Sequence, residues 1–277
     1  KQPHSMIKSR ILLILFYDAS CPDYVCSMET EMMNFEPIRL DAMSNVKLMN
    51  RVDRKFWFHE AELHAILLSV MPFYKALKIG ESSRLSYATT YFDTPDNILY
   101  RLHHNGKLNR IKIRRRTYLE TDLSFLEIKF KTNKGRTIKR RMPTTLGEEM
   151  FTITEGEFIQ AKTSFMAEEL IPGLTNAFSR TTLVSIEMNE RCTIDTGIEF
   201  GWNLREKILS NLVVVEVKSA GRTRNSPLVQ ALHDHGIRES GFSKYCVGKL
   251  AVDPNVKHNA FKAKMRRIDK HILNRAS

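Results

Sequence analysis

The chain has 277 residues and carries 43 Lys and Arg against 31 Asp and Glu, a formal net charge of +12. Its 42% hydrophobic content supplies a sizeable core, while 12 Gly and 9 Pro exclude collagen-like and low-complexity architectures. A basic surplus of this size points to an anionic partner: nucleic acid, polyphosphate, nucleotide or an anionic membrane.

Residues 1–45 read as a leader set apart from the functional domain. The apolar run Ile11–Phe16 stops at Tyr17 and Asp18, well short of the ~20 residues a spanning helix needs. It is also too short for a secretory core, and no small-residue cleavage site follows. The four cysteines, Cys21, Cys26, Cys192 and Cys246, are too scattered for a disulfide framework or a paired-cysteine zinc site. Cytoplasmic residence is the expectation.

Residues 46–58 read as a strand. Leu63, Ile66, Leu67, Val70, Phe73 and Leu77 recur at spacings of three and four. This predicts an amphipathic helix over 59–79, kinked or ended by Pro72. Ser86–Phe92 is rich in β-formers, and Asp93–Asn97 is a turn. Arg110–Tyr118 and Phe125–Lys131 alternate as strands, and Asn133-Lys134-Gly135 turns the chain into a returning strand, Thr137–Met142. Thr154–Leu170 reads as helical. Ala177–Met188, Arg191–Asp195 and Leu212–Lys218 are further strands, and Pro227–Ile237 is a helix with Pro at its first turn. The organisation expected is one α+β domain over 46–253 and a basic C-terminal helix over 254–277, packed on the outside of the domain.

The polar faces carry the functional signal. Ile111 and Ile113 share one face of their strand, and Arg110, Lys112, Arg114 and Arg116 share the other. Leu126, Ile128 and Phe130 oppose Glu127, Lys129 and Lys131 in the same way. Like charges facing one another across strands are unfavourable unless an anion neutralises them. A barrel with a polar, basic lumen and helices outside resolves the conflict. Alternatively, such a run is a solvated face or a nucleic-acid patch. Three pairs, Asp53/Lys55, Glu127/Lys129 and Glu216/Lys218, place an acid and a lysine on one strand face. That arrangement suits a divalent cation and the phosphate oxygens it bridges.

Other motifs point away from competing chemistries. His103-His104 and His233-x-His235 have no third ligand at metal spacing and read as surface or loop histidines. Cys192 and Cys246 read as buried inert thiols. Ser243 lacks the nucleophile-elbow glycines, and neither a Walker loop nor a dinucleotide-binding glycine pattern is present. Any phosphate binding falls to side chains.

These pieces, in order, resemble a known family. Arg51-Val52-Asp53-Arg54-Lys55, Tyr91-Phe92-Asp93-Thr94-Pro95, Ile111-Lys112-Ile113-Arg114 and Leu126-Glu127-Ile128-Lys129 carry the first half. Ile138-Lys139, Phe178-Ser179-Arg180-Thr181, Arg191–Asp195, Val215-Glu216-Val217-Lys218 and Phe242-Ser243-Lys244-Tyr245 carry the second. Together they resemble the triphosphate tunnel metalloenzymes, and most closely the catalytic domain of the vacuolar transporter chaperone (VTC) polyphosphate polymerases.

The resemblance implies an antiparallel eight-stranded β tunnel that binds the triphosphate of ATP. It implies a Mn²⁺ or Mg²⁺ ion at Glu216, with Glu127 as a second candidate ligand. Lys55, Lys129, Lys218 and Glu216 become candidate catalytic residues; Arg51, Lys112, Arg114, Lys139, Arg180 and Lys244 become candidate phosphate ligands. The hydrolase branch opens with two acids before the lysine, whereas here Arg51 stands in place of the first. Lys112 stands where the polymerase branch has Arg. The implied activity is transfer of the γ-phosphate of ATP to a growing inorganic polyphosphate chain. The alternatives are a tripolyphosphatase or nucleoside triphosphatase on the same tunnel, and a non-catalytic polyanion-binding module. ATP and polyphosphate are the expected partners, with no specific nucleic acid and a possible peripheral membrane or membrane-protein contact.

Overall fold

The computed structural model describes residues 35–45, 51–145, 150–220 and 225–273. The run Ile11–Phe16, Cys21 and Cys26 lie outside them. In chain order the strands are β1 (Glu36–Ile38), β2 (Arg51–His59), β3 (Tyr74–Leu77), β4 (Arg84–Asp93), β5 (Arg110–Tyr118) and β6 (Leu123–Lys131). They continue with β7 (Thr137–Thr144), β8 (Ile171–Ser185), β9 (Glu190–Trp202), β10 (Arg205–Leu209) and β11 (Leu212–Ala220). The helices are α1 (Leu63–Val70), α2 (Ile98–His104), α3 (Ile153–Lys162), α4 (Pro227–Asp234), α5 (Lys244–Val252) and α6 (Lys262–Ile268).

Eight strands form a continuous antiparallel path in the order β2-β11-β9-β8-β4-β5-β6-β7. Register shifts at Tyr91/Phe92 and at Ala177/Ser179 add local bends. The sheet curls enough for its two ends to interact: Lys129 on β6 feels the charge of Glu216 on β11, and Lys112 on β5 feels Lys55 on β2. Among the described residues no pairing joins β2 to β7, so the barrel expected from the charge pattern is not closed by hydrogen bonds. β7 is suited to remain an edge. It is largely exposed, carries Lys139, Arg140 and Arg141, and has Pro143, which donates no ladder hydrogen bond.

The apolar faces of the strands point outward against helices, as the alternation required. Phe56, Phe58, Ile194, Val213, Val215 and Val217 pack on Leu63, Ile66, Leu67 and Val70 of α1 and on Leu228 and Leu232 of α4. Farther round, Ile111, Ile113, Leu126 and Ile128 bury Leu99 of α2 and Ile159 of α3. Each such side chain contributes about 1.5–3 kcal/mol on burial, which commits the charged face to the concave side.

Arg115 is the exception in the basic run. It faces outward, where Nε and Nη2 donate to Glu155 at 3.0 and 2.6 Å and Nη2 donates to the Met150 carbonyl at 2.8 Å. It also stacks on Phe92 and Phe151, so it fastens α3 to the sheet.

A third cluster lies on the concave side, where α5 packs across β8 and β9. A Cβ on Gly248 would fall 2.6 Å from Phe200 Cε1, so only glycine permits this approach. The C-terminal segment joins this cluster through Ile268 and Ile272, with Arg267 5.0 Å from the Trp57 ring centroid. It therefore docks partly on α2, through Lys257, Ala260 and Phe261, and partly with concave-side residues such as Trp57, rather than wholly on the outside.

The helix expected over 59–79 is shorter. α1 ends at Val70, a 3₁₀ turn Met71–Phe73 holds Pro72, and Tyr74 begins β3. The missing N–H of Pro72 ends the helix, and pairing of β3 with β8 uses the residues beyond it. Among the described residues no helix is long and apolar enough to cross a membrane.

Candidate functional site

Strand register fixes which charged residues meet. Across β2 and β11, Lys55 lies opposite Glu216 and Asp53 opposite Lys218. Across β5, β6 and β7, Lys112, Lys129 and Lys139 form one row, and Arg114, Glu127 and Arg141 the next. Across β8 and β9, Arg180 lies opposite Asp195. The N-terminal turn of α5 adds Ser243 and Lys244. Apart from Arg51, whose side chain lies outside the described residues, every candidate site residue is thus on the concave face.

Most of these cations already hold a carboxylate. Glu127 is fully buried; its Oε2 accepts Arg114 Nε at 2.8 Å and Nη2 at 2.5 Å, and its Oε1 pairs with Lys139. Asp195 binds Arg180 through both oxygens, Nε to Oδ1 at 2.6 Å and Nη2 to Oδ2 at 2.8 Å, and also accepts from Lys244. Glu216 Oε1 pairs with Lys218 and lies 3.6 Å from Lys55 Nζ.

Burial works against each of these carboxylates, but the neighbouring cations outweigh it. Arg114 and Arg116 lead in holding Glu127 at about 2. Lys55 and Lys218 do the same for Glu216, also at about 2, and Arg180 and Lys244 depress Asp195 still further.

In the middle of this wall three cations hold no carboxylate among the described residues, Lys112 and Arg116 on β5 and Lys129 on β6. Lys112 donates only to Ser243 Oγ, at 3.1 Å, and sits 5.8 Å from the Tyr245 ring centroid. Arg116 donates through Nε to Thr89 Oγ1 at 3.1 Å and lies over Tyr87 and Phe178. Lys129, directly opposite Lys112, makes no hydrogen bond or ion pair among the described residues. Burial, reinforced by Arg114 and Arg116, drives the Lys129 ammonium down to about 6. Burial likewise lowers Lys112, and lowers Arg116 to about 10. A wall that concentrates uncompensated positive charge is chemically a receptor for several anionic oxygens.

Arg116 was absent from the candidate ligands, although its alternation with Lys112 and Arg114 signals it. Asp195 stood within a quoted motif with no role attached, because its partners lie 15 and 49 residues away. The histidine pair departs from expectation: His104 is buried and accepts from the Ala260 N–H, and His103 holds the Ile111 carbonyl. Burial, with Lys112 and Arg110 adding to it, pushes His103 to about 2. Cys192 and Cys246 are buried free thiols as expected.

No group of three or more His, Cys, Asp or Glu side chains is placed to hold a metal ion among the described residues. The donor set still fits a hard cation of the kind that keeps substrate oxygens among its ligands. Lys218 Nζ lies between Glu216 Oε1 and Asp53 Oδ2, 3.3 Å from the latter. Two carboxylates thus converge on one positively charged point, and both are partly open to solvent.

A candidate adenylate cyclase from Bacillus halodurans aligns with a TM-score of 0.47 and 14% identity, covering 70% of this chain and 96% of its own. A candidate adenylyl cyclase from Hippeastrum, with a dominant triphosphatase activity, aligns at 0.47 and 17% identity, covering 72% and 95%. A protein from Pyrococcus horikoshii aligns at 0.41 and 12% identity, covering 72% and 97%. None of the curated proteins matches the chain. The family model of the VTC domain matches residues 50–252, which contain all the strands of the concave wall. The chain belongs to the VTC domain family.

Proposed function

We propose that this domain is a metal-dependent polyphosphate polymerase that transfers the γ-phosphoryl group of ATP to the end of an inorganic polyphosphate chain. The observation that carries the reading is the trio Lys112, Lys129 and Arg116, cations without carboxylates on one concave wall, Arg116 buried and the two lysines half-buried. Lys55, Lys218, Arg114, Lys139, Arg180 and Lys244 extend the basic track to which successive phosphates bind.

The chemistry asks little of a general base. A terminal polyphosphate oxygen is already anionic; it attacks the γ-phosphorus, the bond from that phosphorus to the β–γ bridging oxygen breaks, and ADP leaves. Positioning and neutralisation of the equatorial oxygens then carry the catalysis. Lys129, protonated as the polyanion binds, supplies this charge from the β6 wall, and Lys55 and Lys218 supply it from the facing β2–β11 wall. Glu216, with Asp53 beside it, would hold Mn²⁺ or Mg²⁺, which when bound supplies further neutralisation of phosphate charge. Both oxygens of Glu127 are engaged by Arg114 and Lys139, so its role in this reading is to orient those two cations. Arg51, where the hydrolase pattern has an acid, supports phosphate rather than water as acceptor.

The test is incubation with ATP and Mn²⁺ or Mg²⁺, with and without a short polyphosphate primer. A metal-dependent polyphosphate ladder with matching ADP release is expected. Orthophosphate alone would replace the polymerase with a hydrolase, and salt-sensitive binding without turnover would leave a polyanion-binding module.

A further inference from the structure

Asp195 is a buried carboxylate that the proposed reaction does not use. Its side chain is 4% exposed and is shared by Arg180 and Lys244, which are themselves 18% and 10% exposed. Those two cations have a second support besides it. Arg180 lies over the Tyr87 and Phe178 rings, at 5.1 and 5.2 Å, and Lys244 lies 4.2 Å from the Phe178 centroid. Tyr87 and Phe178 are stacked at 5.2 Å and 10°. Arg116 rests on the same two rings, at 5.5 and 5.4 Å, with no carboxylate. One aromatic floor therefore carries three cations and a single anion, and that anion occupies the Nε and Nη2 edge of Arg180, the edge best shaped for phosphate.

We infer that Asp195 is an internal counter-anion, which competes with a bound phosphate for Arg180 and Lys244 and so keeps that part of the track exchangeable. The inference rests on the phosphate-binding reading above. A phosphate at Arg116 gains Arg180 only by displacing a carboxylate buried beside it, and the two anions repel at short range in a poorly screened setting. An enzyme whose product remains bound to its track after each addition gains from such a weakened grip. Binding energy that holds product as firmly as the transition state does not accelerate turnover.

The experiment compares the full chain with Asp195→Asn and Asp195→Ser by titration calorimetry with inorganic tripolyphosphate, followed by steady-state kinetics. Neutralising Asp195 is expected to tighten tripolyphosphate binding by about tenfold, and to lower KM and kcat together as release slows. A purely structural carboxylate would give the reverse, because misplaced cations bind less. Thermal unfolding with and without tripolyphosphate covers a destabilised variant: the ligand-induced rise in Tm should exceed that of the wild type. Unchanged or weaker binding in both variants, with wild-type binding intact, would overturn the counter-anion role alone. Failure of the wild type to bind tripolyphosphate would remove the phosphate-binding reading and this inference with it.

Discussion

Lys129 is a point where function and stability should oppose each other, and Lys129→Met separates them. Lysine ordinarily titrates near 10.5, and here burial and the guanidinium groups of Arg114 and Arg116 hold Lys129 at about 6. Its folded value lies below its unfolded one, so folding releases a proton between those limits and the wild type gains stability as pH rises through them. Each pH unit is ~1.4 kcal/mol, so at pH 7 the half-buried lysine costs up to ~5 kcal/mol relative to the unfolded chain, with relaxation reducing this. Methionine keeps the apolar stem and removes the penalty. The expected gain is about 2–4 kcal/mol at pH 7, or about 4–15 °C in Tm, shrinking as pH approaches 10.5. The same variant should lose about tenfold or more in tripolyphosphate affinity, because a charge-assisted contact is gone. Thermal melts at pH 6, 7.5 and 9, paired with calorimetry, read both effects. A gain that does not change with pH, or a stabilised variant that binds tripolyphosphate as the wild type does, would refute the argument.

Glu216→Gln should lower metal-dependent polyphosphate synthesis by about a hundredfold or more, while binding of tripolyphosphate without metal persists; wild-type turnover with Mn²⁺ would remove the metal assignment. Asp93→Ala should cost about 3–5 kcal/mol in denaturant unfolding. That carboxylate accepts the N–H groups of Thr94, Leu99 and Tyr100, each at 2.8 Å, together with the Tyr245 hydroxyl, and a loss under about 1 kcal/mol would show that water replaces it. Gly248→Val should destabilise by about 1–3 kcal/mol or more, because its Cβ would press on Phe200; an unchanged melting curve would mean that α5 shifts freely on β9.

The alternation of Ile111 and Ile113 with Lys112, Arg114 and Arg116 was readable because a strand has period two and apolar side chains must leave water. The same rule puts Arg115 on the apolar face, but nothing local shows that it is satisfied there; Glu155, 40 residues on, satisfies it. Helix α2 escaped because Asp93–Asn97 reads as a turn, which it is, and the following residues become helical when the buried Asp93 carboxylate takes the first N–H groups. His103 and His104 went inside with that helix. Pro72 was the correct signal for the end of α1, yet the apolar spacing beyond it belonged to β3, whose side chains meet β8 rather than a helix partner.

The site was legible as a set of cations and not as a circuit. Sequence gives the sign of each side chain and its strand face, which suffices to bring together Lys55, Lys112, Arg114, Lys129, Lys139, Arg180 and Lys218. It does not give the register between strands distant in the chain, and register decides which cation is neutralised. Glu127 meets Arg114 because β5 and β6 form a tight hairpin, but Asp195 meets Lys244 only after β9 and α5 have both docked. The functional weight consequently moves from the count of basic residues, which a solvated face would share, to three in the middle of the wall that hold no carboxylate among the described residues. Lys112, Lys129 and Arg116 remain uncompensated because β5 and β6 bring one acid, Glu127, to that wall and Arg114 and Lys139 have taken it. Folding at this wall costs free energy that a bound polyanion returns.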